Sequence, residues 1–253
     1  MKYLLLLLSI ILVIPNFLGS STKHSEKAAY AWEKFDERLV AHIQSMDDLE
    51  NYVDSIAIQQ GVNTNSDAYC IIAEHAVESR FKHGYAYYPM HENWLAWAAG
   101  RWIWSDLSAM VIPNHILHSP HAACSQQAQV FAELMSLKKI PYRSILFKHH
   151  FALEVKPNNK WMFVDVNVEP VYTDSMRGSF AWLQQQQQLE KIYHQRLSPI
   201  DIDTLLGKPI YGGINEYPGK KAWWFQQITS WSSHWLWILP LLFFIYPWIK
   251  EKW

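Results

Sequence analysis

Apolar residues recur at three- and four-residue steps early in the chain. Ala29, Trp32, Phe35, Leu39, Ile43, Met46 and Leu49 follow one another with charges between them, which predicts helix within residues 24–60. Asn63, Asn65 and Ser66-Asp67 read as a loop and a helix cap, and Tyr69 to Phe81 as the next helix. A tyrosine-rich stretch (Tyr85, Tyr87, Tyr88) and a tryptophan-rich one (Trp94, Trp97, Trp102, Trp104) come next. Pro113-Asn114 and Ser119-Pro120 then punctuate the approach to Cys124. Beyond Cys124 the helical stripe returns with Ala128, Phe131 and Met135. It predicts a helix of about four turns that Pro141 stops.

The period then changes. Tyr142–Phe147, Phe151–Val155 and Trp161–Val166 are β-branched and aromatic runs, with turn chemistry at Lys156-Pro157-Asn158-Asn159. Past residue 180 the pattern is helical again, with Gln184–Gln188 as a solvated face. Pro199, Pro209, Gly212-Gly213 and Pro218-Gly219 predict an irregular linker over 201–227.

Both termini are apolar. Lys2 precedes a run from Leu4 to Ile14, the form of a signal peptide or an N-terminal anchor within residues 1–20. Residues 228–249 contain 22 uncharged positions, enough for a transmembrane helix. Trp231, Trp235, Trp237 and Trp248 flank or punctuate that run, and Lys250 and Lys252 follow it. These features favour a cytoplasmic C-terminus, with the intervening domain facing the periplasm or exterior of an inner (cytoplasmic) membrane.

Composition narrows the classes. Half of the 253 residues are hydrophobic and 14 are Trp, too apolar a chain for disorder. The net charge is −1 with no block of like charges, so no nucleic-acid partner is expected. The two cysteines, Cys70 and Cys124, are a possible disulfide in an exported protein. Cys70, between Tyr69 and Ile71, reads instead as core.

Candidate chemistry gathers at Cys124. A helix start lowers a thiol pKa through free N–H groups and the helix dipole. A histidine must then carry the proton and a third group orient it. With the hairpin turn centred between Pro157 and Asn158, Val155 opposes Lys160 and His150 opposes Asp165, within side-chain reach. Phe151, Leu153 and Val155 share an apolar face with Met162, Val164 and Val166, and the period of two turns His149 away from the partner of Asp165. Glu154 is expected to face solvent or pack against Trp161. His118-x-x-His121, with His75 and His149, is the competing metal reading. It lacks a second tight pair, so no metal or other cofactor is expected.

Three segments carry a resemblance: Cys124-Ser-Gln-Gln-Ala128 leading to Ile140-Pro141, His150-Phe-Ala-Leu-Glu-Val155, and Lys160-Trp-Met-Phe-Val-Asp165. Together, in this order and spacing, they resemble the transglutaminase-like superfamily, with Ala122 where that family commonly has Gly. The resemblance implies an α+β, papain-like core: N-terminal helices (24–66), then a domain over 67–200 with the catalytic helix packed on a small antiparallel sheet. It further implies Cys124 as nucleophile, His150 as base and acid, and Asp165 as orienter. Asn93 or Trp94 would be a second oxyanion donor beside the Cys124 N–H. The expected activity is that of an exported, membrane-anchored thiol enzyme on peptide or envelope-polymer amides, through a Cys thioester. The alternative is a non-catalytic binding or assembly module of the same family in the cell envelope.

Overall fold

The computed structural model describes residues 2–19, 33–173 and 176–250; the start of the first predicted helix (24–32) lies outside them. The chain is mixed α+β and divides into two compact units. One, here the mixed unit, comprises residues 26–86 and 112–218; the other, the helical unit, comprises residues 1–25, 87–111 and 219–253.

The mixed unit begins with α2 (Glu37–His42), α3 (Met46–Gln59) and α4 (Asp67–Arg80). The single helix expected over 24–60 is therefore broken at Ile43–Ser45. Ser45 caps α3 by accepting the Asp48 N–H, and a capping serine leaves the helical backbone. Ser66 caps α4 in the same way, as its sequence predicts. After β1 (Lys82–His83) the unit resumes with α6 (Pro113–Leu117), β2 (His121–Ala122) and α7 (Cys124–Leu137). The strands β3 (Tyr142–Leu146), β4 (Phe151–Val155), β5 (Met162–Val164) and β6 (Ile210–Tyr211) form an antiparallel sheet in the order β5-β4-β3-β6. The helices α8 (Phe180–Gln185), α9 (Leu189–Tyr193) and α10 (Pro199–Leu205) lie between β5 and β6 in sequence.

Both faces of the sheet are covered. The apolar stripe of α7 packs on β4 and β3. On the other side Ala152 and Phe163 enter a cluster with Phe180, Leu183, Ile192 and Tyr193. That second layer overturns the expected exposure of Glu154. Its side chain is fully buried, paired with Arg143 at 2.6 Å and accepting the Phe180 N–H at 2.7 Å. The expected linker is also more regular than its Pro and Gly content suggests. It holds α10 and β6, whose Ile210 and Tyr211 complete the sheet edge beside Leu146 and Ile145.

The helical unit contains α1 (Lys2–Val13), α5 (Met90–Trp102), α11 (Lys220–Trp235) and α12 (Ile238–Lys250). Within it, α5 packs on α11 and α1 on α12. Asn93 kinks α5 (φ −157°, ψ 77°). The stretch Lys220–Pro247 is long and apolar enough to cross a membrane, and so begins earlier than the expected 228.

Candidate functional site

Cys124 is the first residue of α7, half-buried and not in a disulfide. Its position is fixed by neighbours on both sides. The Gln126 side chain accepts N–H bonds from Ala123 (3.1 Å) and Ala86 (2.8 Å) and donates to the Ala86 carbonyl. A glutamine two residues after the cysteine thus caps the helix start and ties it to the preceding chain. Upstream, β2 pairs parallel with β1, His83 opposite Ala122. The buried Arg80 guanidinium donates to the carbonyls of Ile43, Leu117 and Ser119, holding the approach loop to α4.

His150 and Asp165 come together as expected, by a different route. In the ladder Leu153 pairs with Val164 and Val155 with Met162, two residues away from the predicted register. The turn is longer because Pro157–Asn159 form a 3₁₀ turn, with Asn158 and Asn159 at φ 49° and 62°. Asparagine tolerates that left-handed backbone better than most residues. A shift of two keeps every side chain on its predicted face. His150 and Asp165 end up as diagonal neighbours just past the paired strands, with His150 Nε2 2.8 Å from Asp165 Oδ2. The Cys124 sulfur lies close enough to the His150 side chain to interact with it. Since Nε2 faces Asp165, Nδ1 is the nitrogen left for the thiol. His149 is exposed, as the alternation predicts.

The Asp165 carboxylate is held from several directions. Tyr193 donates its hydroxyl to Oδ2 at 2.7 Å. Oδ1 accepts the N–H groups of Asn167 (3.2 Å) and Val168 (3.1 Å). The Asp165 N–H in turn donates to Glu74 Oε1 at 2.8 Å. Glu74 is fully buried; desolvation, then the nearby Glu169, pushes its pKa well above the ordinary carboxylate value. Gln126, Tyr193 and Glu74 were not among the residues expected from sequence. Gln126 carried a usable signal in its spacing from the helix start. Tyr193 and Glu74 carried none, being 28 residues after and 91 before Asp165.

Burial alone would push His150 down. The Asp165 carboxylate and the Cys124 sulfur outweigh it and raise the imidazole to about 10. The Phe147 ring stacks on the imidazole at 6.4 Å. The arrangement sets a buried imidazole–carboxylate pair beside a thiol at a helix start.

Other candidates lie elsewhere. Asn93 Nδ2 donates to Thr229 and Gln226, and Trp94 Nε1 to the Ser233 carbonyl, so both expected oxyanion donors bond inside the helical unit. Cys70 is buried with Sγ 4.0 Å from Met135 Sδ. His118 stacks on His115. Among the described residues, His75, Glu78 and Glu169 are the one group with metal-ligand geometry. Lys34 contacts Glu169 at 2.7 Å, and Arg196 contacts Glu78 at 3.3 Å and Glu169 at 3.4 Å, so cations of the chain already neutralise it.

Comparison with family models, curated proteins and solved structures returns no match to this chain. The functional reading therefore rests on the site.

Proposed function

We propose that this protein is a membrane-tethered thiol enzyme of the transglutaminase-like kind, acting on amide bonds through a thioester on Cys124, with its mixed unit on the exterior side of the membrane. One observation carries the reading. A buried imidazole is hydrogen-bonded to a carboxylate and lies beside a thiol that opens a helix.

The proposed steps follow from these positions. With the Cys124 proton already on His150 Nδ1, the sulfur attacks the amide carbonyl carbon. The oxyanion that forms meets the Cys124 N–H, in a first turn whose N–H groups lack intrahelical acceptors. As the C–N bond breaks, His150 returns the proton to the leaving amine, and the acyl group stays on sulfur. Water then gives its proton to His150 and attacks the thioester; the acid leaves and the thiol is restored. An amine in place of water gives transamidation. Asp165, fixed by Tyr193 and two backbone N–H groups, holds the imidazole and its charge throughout.

The test is capture of the acyl-enzyme and labelling by a thiol-directed electrophile near neutral pH, wild type against Cys124→Ala. The expected result is a label and an acyl adduct on Cys124 alone. A native Cys124 silent to the electrophile would overturn the reading. If Cys124→Ala kept full biological function, the non-catalytic binding module would replace it.

A further inference from the structure

The helical unit bears on whether the N-terminal apolar run is a removable leader. The mature fold has a place for α1, since it packs on α12 more extensively than on any other element. In the 3₁₀ turn that closes it, Asn16 Nδ2 donates to the Ser233 carbonyl at 3.0 Å. Ser233 itself is buried, accepting the Leu95 N–H and donating to Asn93. Ser9, the polar residue within α1, is also buried and satisfies its hydroxyl on the Leu5 carbonyl. Removing residues 1–20 would strip α12 of its packing partner.

The direction of the pair follows from the same contact. α1 runs into the Asn16–Ser233 bond and α12 runs away from it, so the two helices are antiparallel. That puts Lys2 at the same end of the pair as Lys250. The outward faces are apolar throughout. Leu4, Leu7 and Ile11 on α1, and Leu239, Leu242 and Phe243 on α12, are each more than half exposed. A patch of that extent on a monomer marks an interaction surface. A second copy would cover one face of such a hairpin; hydrocarbon covers all of them. Residues 2–17 rise about 24 Å as helix, close to a roughly 30 Å hydrocarbon core. Lysines gathered at one end suit the cytoplasmic leaflet and its anionic lipids.

We infer that α1 is retained in the mature protein and forms, with α12, an antiparallel two-helix anchor whose outer faces are covered by lipid acyl chains. The inference rests on the membrane placement proposed above. Full-length protein is to be isolated from host membranes, and its intact mass and N-terminus determined. Then Leu242→Lys with Phe243→Lys, which weakens the C-terminal leg alone, is compared with wild type after alkaline carbonate washing. Expected are an N-terminus at Met1 or Lys2, a mass of 29.7 kDa, and a double variant that stays in the membrane through α1. A membrane-bound wild type beginning near residue 20, or release of the double variant, overturns the retained leg while leaving the C-terminal anchor standing. A wild type recovered wholly in the soluble fraction removes the membrane placement itself, and with it this inference. Its recovery there as a dimer would assign the apolar faces to a second copy.

Discussion

The two units invert each other's pattern of burial. In the mixed unit the interior holds ionisable groups: His150, Asp165, Glu74, Glu154 and Arg80 are each buried and each hydrogen-bonded within the protein. In the helical unit large apolar side chains lie exposed, among them Trp102, Phe243 and Leu242. Buried charge survives only where it is paired or hydrogen-bonded, and a wide apolar surface survives only where water is absent. The contrast is what the proposed function requires: a site that works in water and a unit that meets lipid.

The largest effect that would break this comparison is at the site. Asp165→Asn should lower turnover about 10⁴-fold, the usual consequence of a misoriented catalytic imidazole, with Cys124 still reacting slowly with electrophiles. It should also flatten the pH dependence of unfolding. The folded state raises His150 to about 10 against an ordinary 6.5, so its contribution is complete below pH 6.5 and is lost as pH rises through 10. A wild-type denaturation midpoint that rises with pH across that window would contradict the charged imidazole.

Next in size is the buried ion pair of the sheet. Arg143→Met leaves Glu154 buried without its partner and should cost about 3–5 kcal/mol in denaturant unfolding. Glu154 on a solvated face, as the alternation alone suggests, would make the same change nearly neutral.

A matched leucine pair sharpens the contrast directly. Leu134→Ala, in the interior of the mixed unit, should cost about 2–5 kcal/mol. Leu242→Ala, on an outward face of α12, should change unfolding in detergent by less than about 0.5 kcal/mol. Similar losses at both positions would mean that the helical unit has a water-excluded protein surface over α12.

Smallest is Tyr193→Phe, which removes one donor from Asp165. It should cost about 1–3 kcal/mol in transition-state stabilisation and shift the upper limb of the rate–pH profile while leaving KM unchanged. Loss of stability with an unmoved pH profile would make Tyr193 a packing residue only.

By itself the sequence determined what depends on near neighbours in the chain. Helix period and capping placed Cys124 at the start of α7 and Ser66 before α4, and residue alternation separated His150 from His149. The hairpin register was two residues off, because the left-handed Asn158-Asn159 turn adds length that composition does not encode. Only the tertiary structure decided the rest. Tyr193 and Glu74 reach Asp165 across 28 and 91 residues, Glu154 is buried by a layer formed later in the chain, and α1 meets α12 from the opposite terminus. Such contacts follow from which surfaces are left to bury once the local elements exist. Periodicity fixes which face an element must bury but not its partner, since hydrophobic attraction has no direction of its own.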